Sequence, residues 1–377
     1  MRRTSILALA SAVALGTAAC GPPESPDVKL GAILSLQGAG APYGLSIQRG
    51  IELAVEEINA AGGVTVFEVG QKPLTLDIRD AQSRPATGVQ VAQELLETGV
   101  IAAIGADVSD VTLAIAPVFQ AAEVILMSPA SSTPKLTGIG DFIYRNFPSD
   151  ELEALNTADY VFNAMHVQEA AVIAQQSEFG LGQKNSFIQR FRLLGGRALG
   201  QESYPANASA EDIASHVERL LAEDPPAIYI AGYADDTAIV ARAIRDAGST
   251  AALFGTGAVL AGDLIAAGGD AVEGLAFPQA SYDANSSAAN VRAFVTAFQA
   301  KFGMVPDVYA AHAYDAVQMI VQAISQAGTD PQEMRFYLNS MNPYDGVTGS
   351  TDFDDAGDVR KFHTMYGIEG GVAVRLE

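Results

Sequence analysis

The stretch Val100–Thr137, VIAAIGADVSDVTLAIAPVFQAAEVILMSPASSTPKLT, constrains the fold more than any other part of the chain. VIAAIG and VILM are short unbroken apolar runs, the pattern of strands buried on both faces of a parallel sheet. Between them DVTLAIAPVFQAA carries apolar residues at helical spacing, with a bend expected at Pro117. Two loops, Ala106–Asp110 and Ser128–Pro134, therefore leave neighbouring parallel strands at one sheet edge. Open α/β sheets bind ligands in that crevice. Both loops are rich in hydroxyls and backbone donors and contain no Lys, Arg or His before Lys135. That composition suits a small polar or anionic group held by neutral donors and is poor material for catalysis.

The rest of the chain extends the same alternation. Val28–Leu36 reads as a first strand, Tyr43–Ala61 as an amphipathic helix stopped by Gly62-Gly63, Leu74–Asp80 as a second strand, and Pro85–Thr98 as a helix with Pro in its first turn. This order predicts a parallel sheet. A second series starts near Pro148: a helix from Ser149, the strand AAVIAQQ, a helix over Gly182–Leu194, then helix–strand pairs ending in AIYIAG and ALFGTG. With 377 residues the chain is long for one core, so two similar α/β lobes are expected. Beyond residue 274 a strand, two long amphipathic helices, a hairpin-like segment and a final strand need existing sheets to cover. The chain is thus expected to cross back to the first lobe and return to the second, and several short crossings make a hinge.

The N-terminus has the layout of a secretory signal: Arg2 and Arg3, the apolar core ILALASAVALG, then Thr17-Ala-Ala-Cys20. Cys20, the sole cysteine, follows the small residues as in a bacterial lipobox, although Thr17 stands where Leu is usual. Residues 1–19 are therefore read as a lipoprotein signal, Cys20 as the lipidated first residue of the mature chain, and residues 20–27 as a Pro-rich tether. A formal charge of −22 argues against nucleic acid and anionic lipid surfaces as partners.

Other motifs give way to simpler readings. Gly38-Ala-Gly40-Ala-Pro-Tyr-Gly44 has GxGxxxG spacing with Pro42 removing a donor, unlike a dinucleotide loop. Asp352–Asp358 superficially resembles a calcium loop, but Ala356 occupies a ligand position and a tight turn explains the Asp and Gly residues. Asp235-Asp236 opens a helix, where carboxylates complement exposed amides. His166, His216, His312 and His363 are scattered, and no GxSxG or HExxH occurs. No cofactor, metal or enzymatic activity is expected.

In the order GAILSLQGAGAPYGLSIQRGIELAVEEINAAGGV, DIRDAQSRP, IGADVSDVTLAIAPVFQAAEVILMSPASSTPKLT, YRNFPSD, VYAAHAYDAVQMIVQAISQAG and YDGVTGSTDFDDAGD, the chain resembles the bacterial periplasmic leucine/isoleucine/valine-binding proteins, type I solute-binding components of ABC importers. The resemblance implies two Rossmann-like lobes joined by three crossovers and closing like a flytrap, with lobe 1 at 28–148 plus about 282–346 and lobe 2 at about 149–281 plus 347–377. It implies that Ser109, Ala130 and Ser132 receive a solute carboxylate through neutral donors. It places Tyr43, Phe179 and Tyr233 as aromatics of the cleft, Phe179 standing where Tyr is common. The acid that usually meets the solute's ammonium is absent, because Gly257 stands at its position. Either Asp150, at a second acidic position of related sensing domains, serves alone, or the solute lacks a primary amine and is an amide or carboxylic acid.

The function implied is a monomeric, lipid-anchored solute-binding protein that delivers a small amino-acid-like or carboxylated solute to an ABC permease. The alternative is a lipoprotein of the same fold that regulates an envelope partner.

Overall fold

The computed structural model describes residues 27–260 and 264–376. The signal segment, Cys20 and residues 20–26 of the tether lie outside them. Among the described residues no helix is long and apolar enough to cross a membrane.

The first lobe is built on a five-stranded parallel sheet. Its strands are β1 (Val28–Leu34), β2 (Leu74–Asp80), β3 (Ala102–Gly105), β4 (Ile125–Ser128) and β5 (Ile143–Arg145), in the spatial order β2-β1-β3-β4-β5. β3 and β4 are buried along their whole length, as their unbroken apolar runs require. Helix α1 (Ala41–Ala60) covers one face together with a long helix from late in the chain, and α2 (Pro85–Glu97) and α3 (Ser109–Ala122) cover the other. Pro117 is accommodated inside α3, and Glu123 in the left-handed region stops that helix.

The second lobe holds seven strands: β6 (Glu169–Gln176), β7 (Arg197–Pro205), β8 (Ala227–Ala231), β9 (Ala252–Phe254), β10 (Ala276–Ala280), β11 (His363–Glu369) and β12 (Val372–Arg375). Their order is β12-β11-β10-β9-β8-β6-β7, parallel except where β11 pairs with β10 and with β12. Helices α4 (Asp150–Asp159) and α5 (Glu178–Leu193) pack on one face, α6 (Ala210–Leu221) and α7 (Ala234–Asp246) on the other. Strand β7 has no counterpart in the sequence reading. It is an edge strand with only Leu199 and Tyr204 buried, so RALGQESYP carries no apolar run. α5 begins four residues earlier than the expected Gly182, because the Ser177 hydroxyl accepts from the Gly180 amide and caps it there.

The chain crosses between lobes three times: from β5 into α4, from β10 into α8 (Ala289–Phe302), and from Val359 towards β11. α8 and α9 (Val308–Ala327) belong with the first lobe. Residues 353–359, expected with lobe 2, pack on lobe 1 instead: the Phe353 ring meets Tyr144 edge-on at 5.1 Å, and Gly357 O accepts from the Arg145 amide at 2.9 Å. The third crossing therefore falls nearer His363 than residue 347. The Asp354 carboxylate accepts from the Ala356 and Asp358 amides, so this segment is a tight turn.

α1 and α9 cross in close contact at Gly50. A Cβ there would lie 2.2 Å from the Ala310 carbonyl oxygen, backbone that cannot step aside locally. Gly50→Ala is expected to cost about 3 kcal/mol through separation of the two helices. A urea titration checks this, and a loss below about 1 kcal/mol would show that the crossing relaxes freely.

Candidate functional site

The two lobes meet over a narrow cavity of about 20 Å³ at the carboxyl ends of the strands, where the topology places a crevice. Lobe 1 contributes Tyr43 from the first turn of α1, Ser109 from the start of α3, and Ala130 and Ser132 from the loop after β4. Lobe 2 contributes Phe179 at the start of α5 and Tyr233 at the start of α7. Six of the eight expected solute-binding positions are thus brought together. Asp107, Phe147, Glu153, Ala258 and Tyr309, which the sequence reading did not single out, line the same space.

The two Ser-bearing loops hold each other. Ser128 Oγ donates to the Ala106 carbonyl at 2.9 Å and accepts from the Ser131 amide at 3.0 Å. Ser131 Oγ also reaches Ala106 O and bonds Thr112. These hydroxyls are committed to the scaffold, while Ser109 and Ser132 line the cavity, the Ser132 hydroxyl beside the Asp150 carboxylate. Ser109 opens α3, so an anion there also meets the positive end of a helix.

Aromatic rings frame the middle of the cavity. Tyr233 stacks on Phe179 at 4.9 Å, and Tyr43 lies 5.3 Å from Tyr233 and 5.2 Å, edge-on, from Tyr309. Phe147 stacks on Tyr309 at 5.6 Å. Tyr309 is held by the cap of α9, where Asp307 accepts from its amide. The Tyr43 hydroxyl donates across the cleft to the Ala258 carbonyl at 3.0 Å, joining lobe 1 to lobe 2. Phe179 lacks a hydroxyl and contributes a ring face alone.

Asp150 and Gly257 are absent from the cavity wall. Asp150 is buried behind it, where its amide donates to Ser132 O at 2.7 Å and its carboxylate accepts from Gln183 at 2.8 Å. Burial, and next the neighbouring Glu153 charge, push its carboxyl well above the ordinary range. Gly257 sits behind Glu153. Its amide donates to Glu153 Oε1 at 2.8 Å, and a Cβ on it would lie 2.9 Å from Glu153 Oε2. The carboxylate of Glu153 therefore occupies the space into which a side chain at 257 would project.

Glu153 is 3% exposed, and Gln183, itself fixed by the Tyr229 hydroxyl, donates to it as well. Burial pushes its carboxyl up to about 7, against the pull of the Gly257 amide and Gln183. His363 stands 3.8 Å away, but burial lowers its imidazole to about 4, so at neutral pH the contact is not an ion pair. Asp150 and Glu153 lie one turn apart on one helix face. Asp107 is the second carboxylate at the wall, pushed up to about 6 by burial against the pull of the Ser35 amide. The cavity wall thus carries neutral donors, aromatic rings and two carboxylates.

Two α/β lobes with a closed, donor-rich cleft between them define a solute-binding protein. Residues 27–370 match the periplasmic binding protein family, and the chain belongs to it. The Leu/Ile/Val-binding protein homolog 1 of Brucella abortus is 28% identical over 376 residues, covering 98% of this chain and 97% of that one. The Leu/Ile/Val-binding protein BraC3 of Rhizobium johnstonii is 25% identical over 371 residues, covering 97% and 98%. Among solved structures, a leucine-binding protein from Thermotoga maritima is similar with a TM-score of 0.86 and 26% identity, covering 93% of this chain and 98% of that one. A solute-binding protein from R. palustris in complex with benzoate shares the fold, with a TM-score of 0.82 at 19% identity, covering 93% and 96%.

Proposed function

We propose that this protein captures an α-amino acid between its lobes and delivers it to an ABC permease, anchored to the cell envelope by lipid on Cys20. The observation that carries the reading is the pairing of Ser109 and Ser132 on one lobe with the Glu153 carboxylate on the other, in one cavity. The solute's carboxylate is received by the two hydroxyls and the backbone around Ala130. Its ammonium is received by Glu153, in place of the acid missing at 257. Asp150 acts from behind, through Ser132 and Gln183. A solute that touches both lobes favours the closed form and so couples binding to closure. The names of the relatives agree with an amino-acid solute.

Thermal shift and calorimetric titration with amino acids, simple carboxylates and amides test this. Amino acids are expected to bind, and their deaminated counterparts to bind at least tenfold more weakly. Ser109→Ala and Ser132→Ala each remove a hydrogen bond to a charged group and should weaken binding about 30-fold without lowering the melting temperature. Unchanged affinity in both variants would refute the carboxylate site.

A further inference from the structure

Two buried carboxyl groups on α4, those of Asp150 and Glu153, share one donor. Gln183 Nε2 reaches Asp150 Oδ1 at 2.8 Å and Glu153 Oε1 at 2.5 Å. Besides Glu153, the charged group that bears on Asp150 is Arg145, and its guanidinium is already taken by Asp358 and the Thr133 carbonyl. The Tyr229 and Tyr233 phenols, which burial pushes well above their ordinary range, stay neutral. Two like charges so placed, without a cation of their own, do not both persist, and one carboxyl keeps a proton.

The donors decide which one. Glu153 Oε1 accepts from the Gly257 amide as well as from Gln183. Asp150 Oδ2 has no hydrogen-bond partner among the described residues, so Glu153 is the better-supported anion and the proton falls to Asp150. A buried carboxylic acid needs an acceptor for its O–H. Gln183 Oε1 already accepts from the Tyr229 hydroxyl at 2.8 Å, and the Ser132 carbonyl from the Asp150 amide at 2.7 Å. The Ser132 hydroxyl, beside the Asp150 carboxyl, is the acceptor that remains. A serine has one proton to give. Next to an ionised Asp150 it would turn to that carboxylate. Next to a neutral Asp150 its oxygen accepts there, and its proton is free for the cavity.

We propose that Asp150 is a positioning residue, held as the neutral acid, whose O–H engages Ser132 Oγ and so aims the Ser132 proton at the solute's carboxylate. This rests on the amino-acid reading above. It separates the two acids of α4: Glu153 answers the ammonium, and Asp150 serves the opposite end of the solute through Ser132.

The test is calorimetric titration of the purified protein at neutral pH, with the tightest-binding of leucine, alanine and glutamine as the probe. Asp150→Asn offers an N–H to Ser132 and an oxygen to Gln183, as the neutral acid does, and should bind the probe within about threefold of the unaltered protein. Asp150→Leu has a similar shape but no donor, and should weaken binding about tenfold. With Ser132→Ala also in place, the difference between these two substitutions should vanish, whereas a merely structural Asp150 would preserve it. A change beyond about threefold in either direction for Asp150→Asn, a smaller loss than that for Asp150→Leu, or a difference that survives Ser132→Ala would overturn the proposal and leave the amino-acid reading standing. If none of the three amino acids binds, that reading falls and this proposal with it. Should Asp150→Leu fail to fold, Asp150→Asn decides alone.

Discussion

Replacing Glu153 by Gln should weaken amino-acid binding more than about 100-fold while the protein still folds. Gln retains an acceptor for the Gly257 amide but offers no charge, and a buried ammonium without its counter-charge costs roughly 3–5 kcal/mol. The same variant carries a pH signature. The folded carboxyl is raised from 4.5 to about 7, so the folded state binds the proton more readily than the unfolded chain. Its contribution to stability is fully present below the unfolded value and is lost as pH rises through about 7, an effect of up to roughly 3 kcal/mol. The ligand-free protein should therefore lose stability between about pH 4.5 and 7, and Glu153→Gln should flatten part of that slope. Solute affinity should change in the opposite sense, rising over the same window as the carboxylate becomes available. Melting curves and titrations at several pH values read both. Wild-type affinity in the variant would remove Glu153 from the site.

The second large effect is expected outside the cavity, at Asp358. Arg145 is 1% exposed, and Asp358 meets its guanidinium at 2.7 and 3.0 Å from the tight turn before the third crossing. The same guanidinium donates to the Thr133 carbonyl at 2.9 Å, next to Ser132. Asp358→Ala leaves a buried cation without its counter-charge and should cost about 3–5 kcal/mol, measured by chemical denaturation. Solute affinity should also fall several-fold, because the loop carrying Ser132 loses its anchor. A loss below 1 kcal/mol would mean that water reaches Arg145 and replaces the acid.

Central features of the fold were legible because burial on both faces leaves unbroken apolar runs. VIAAIG and VILM are such runs, and the loops that follow them had to share an edge. Strand β7 escaped notice because an edge strand needs few apolar residues. The third crossing was displaced because Phe353 and Val359 bury singly, in a turn otherwise polar. The site was legible in part. Ser128, Ser131 and Ser132 are the same letter, and only the hydrogen bonds separate the first two, which tie the loops together, from the third. Glu153 was hidden for another reason. Its partner Gly257 lies 104 residues away, and nothing local marks an acid in the first turn of a helix as more than a favourable charge there. By resemblance alone Gly257 implies a missing acid, whereas in the structure it leaves the room that the Glu153 carboxylate occupies.

That clearance also limits how the cleft can change over generations. An acid introduced at 257 while Glu153 remains would force two carboxylates into one space, since even a Cβ there comes within 2.9 Å of the first. On the amino-acid reading proposed above, losing Glu153 first would leave the ammonium unanswered. Each single step is therefore worse than either end point, and the two arrangements are separated by a valley that only a paired substitution, or a change of solute, crosses readily.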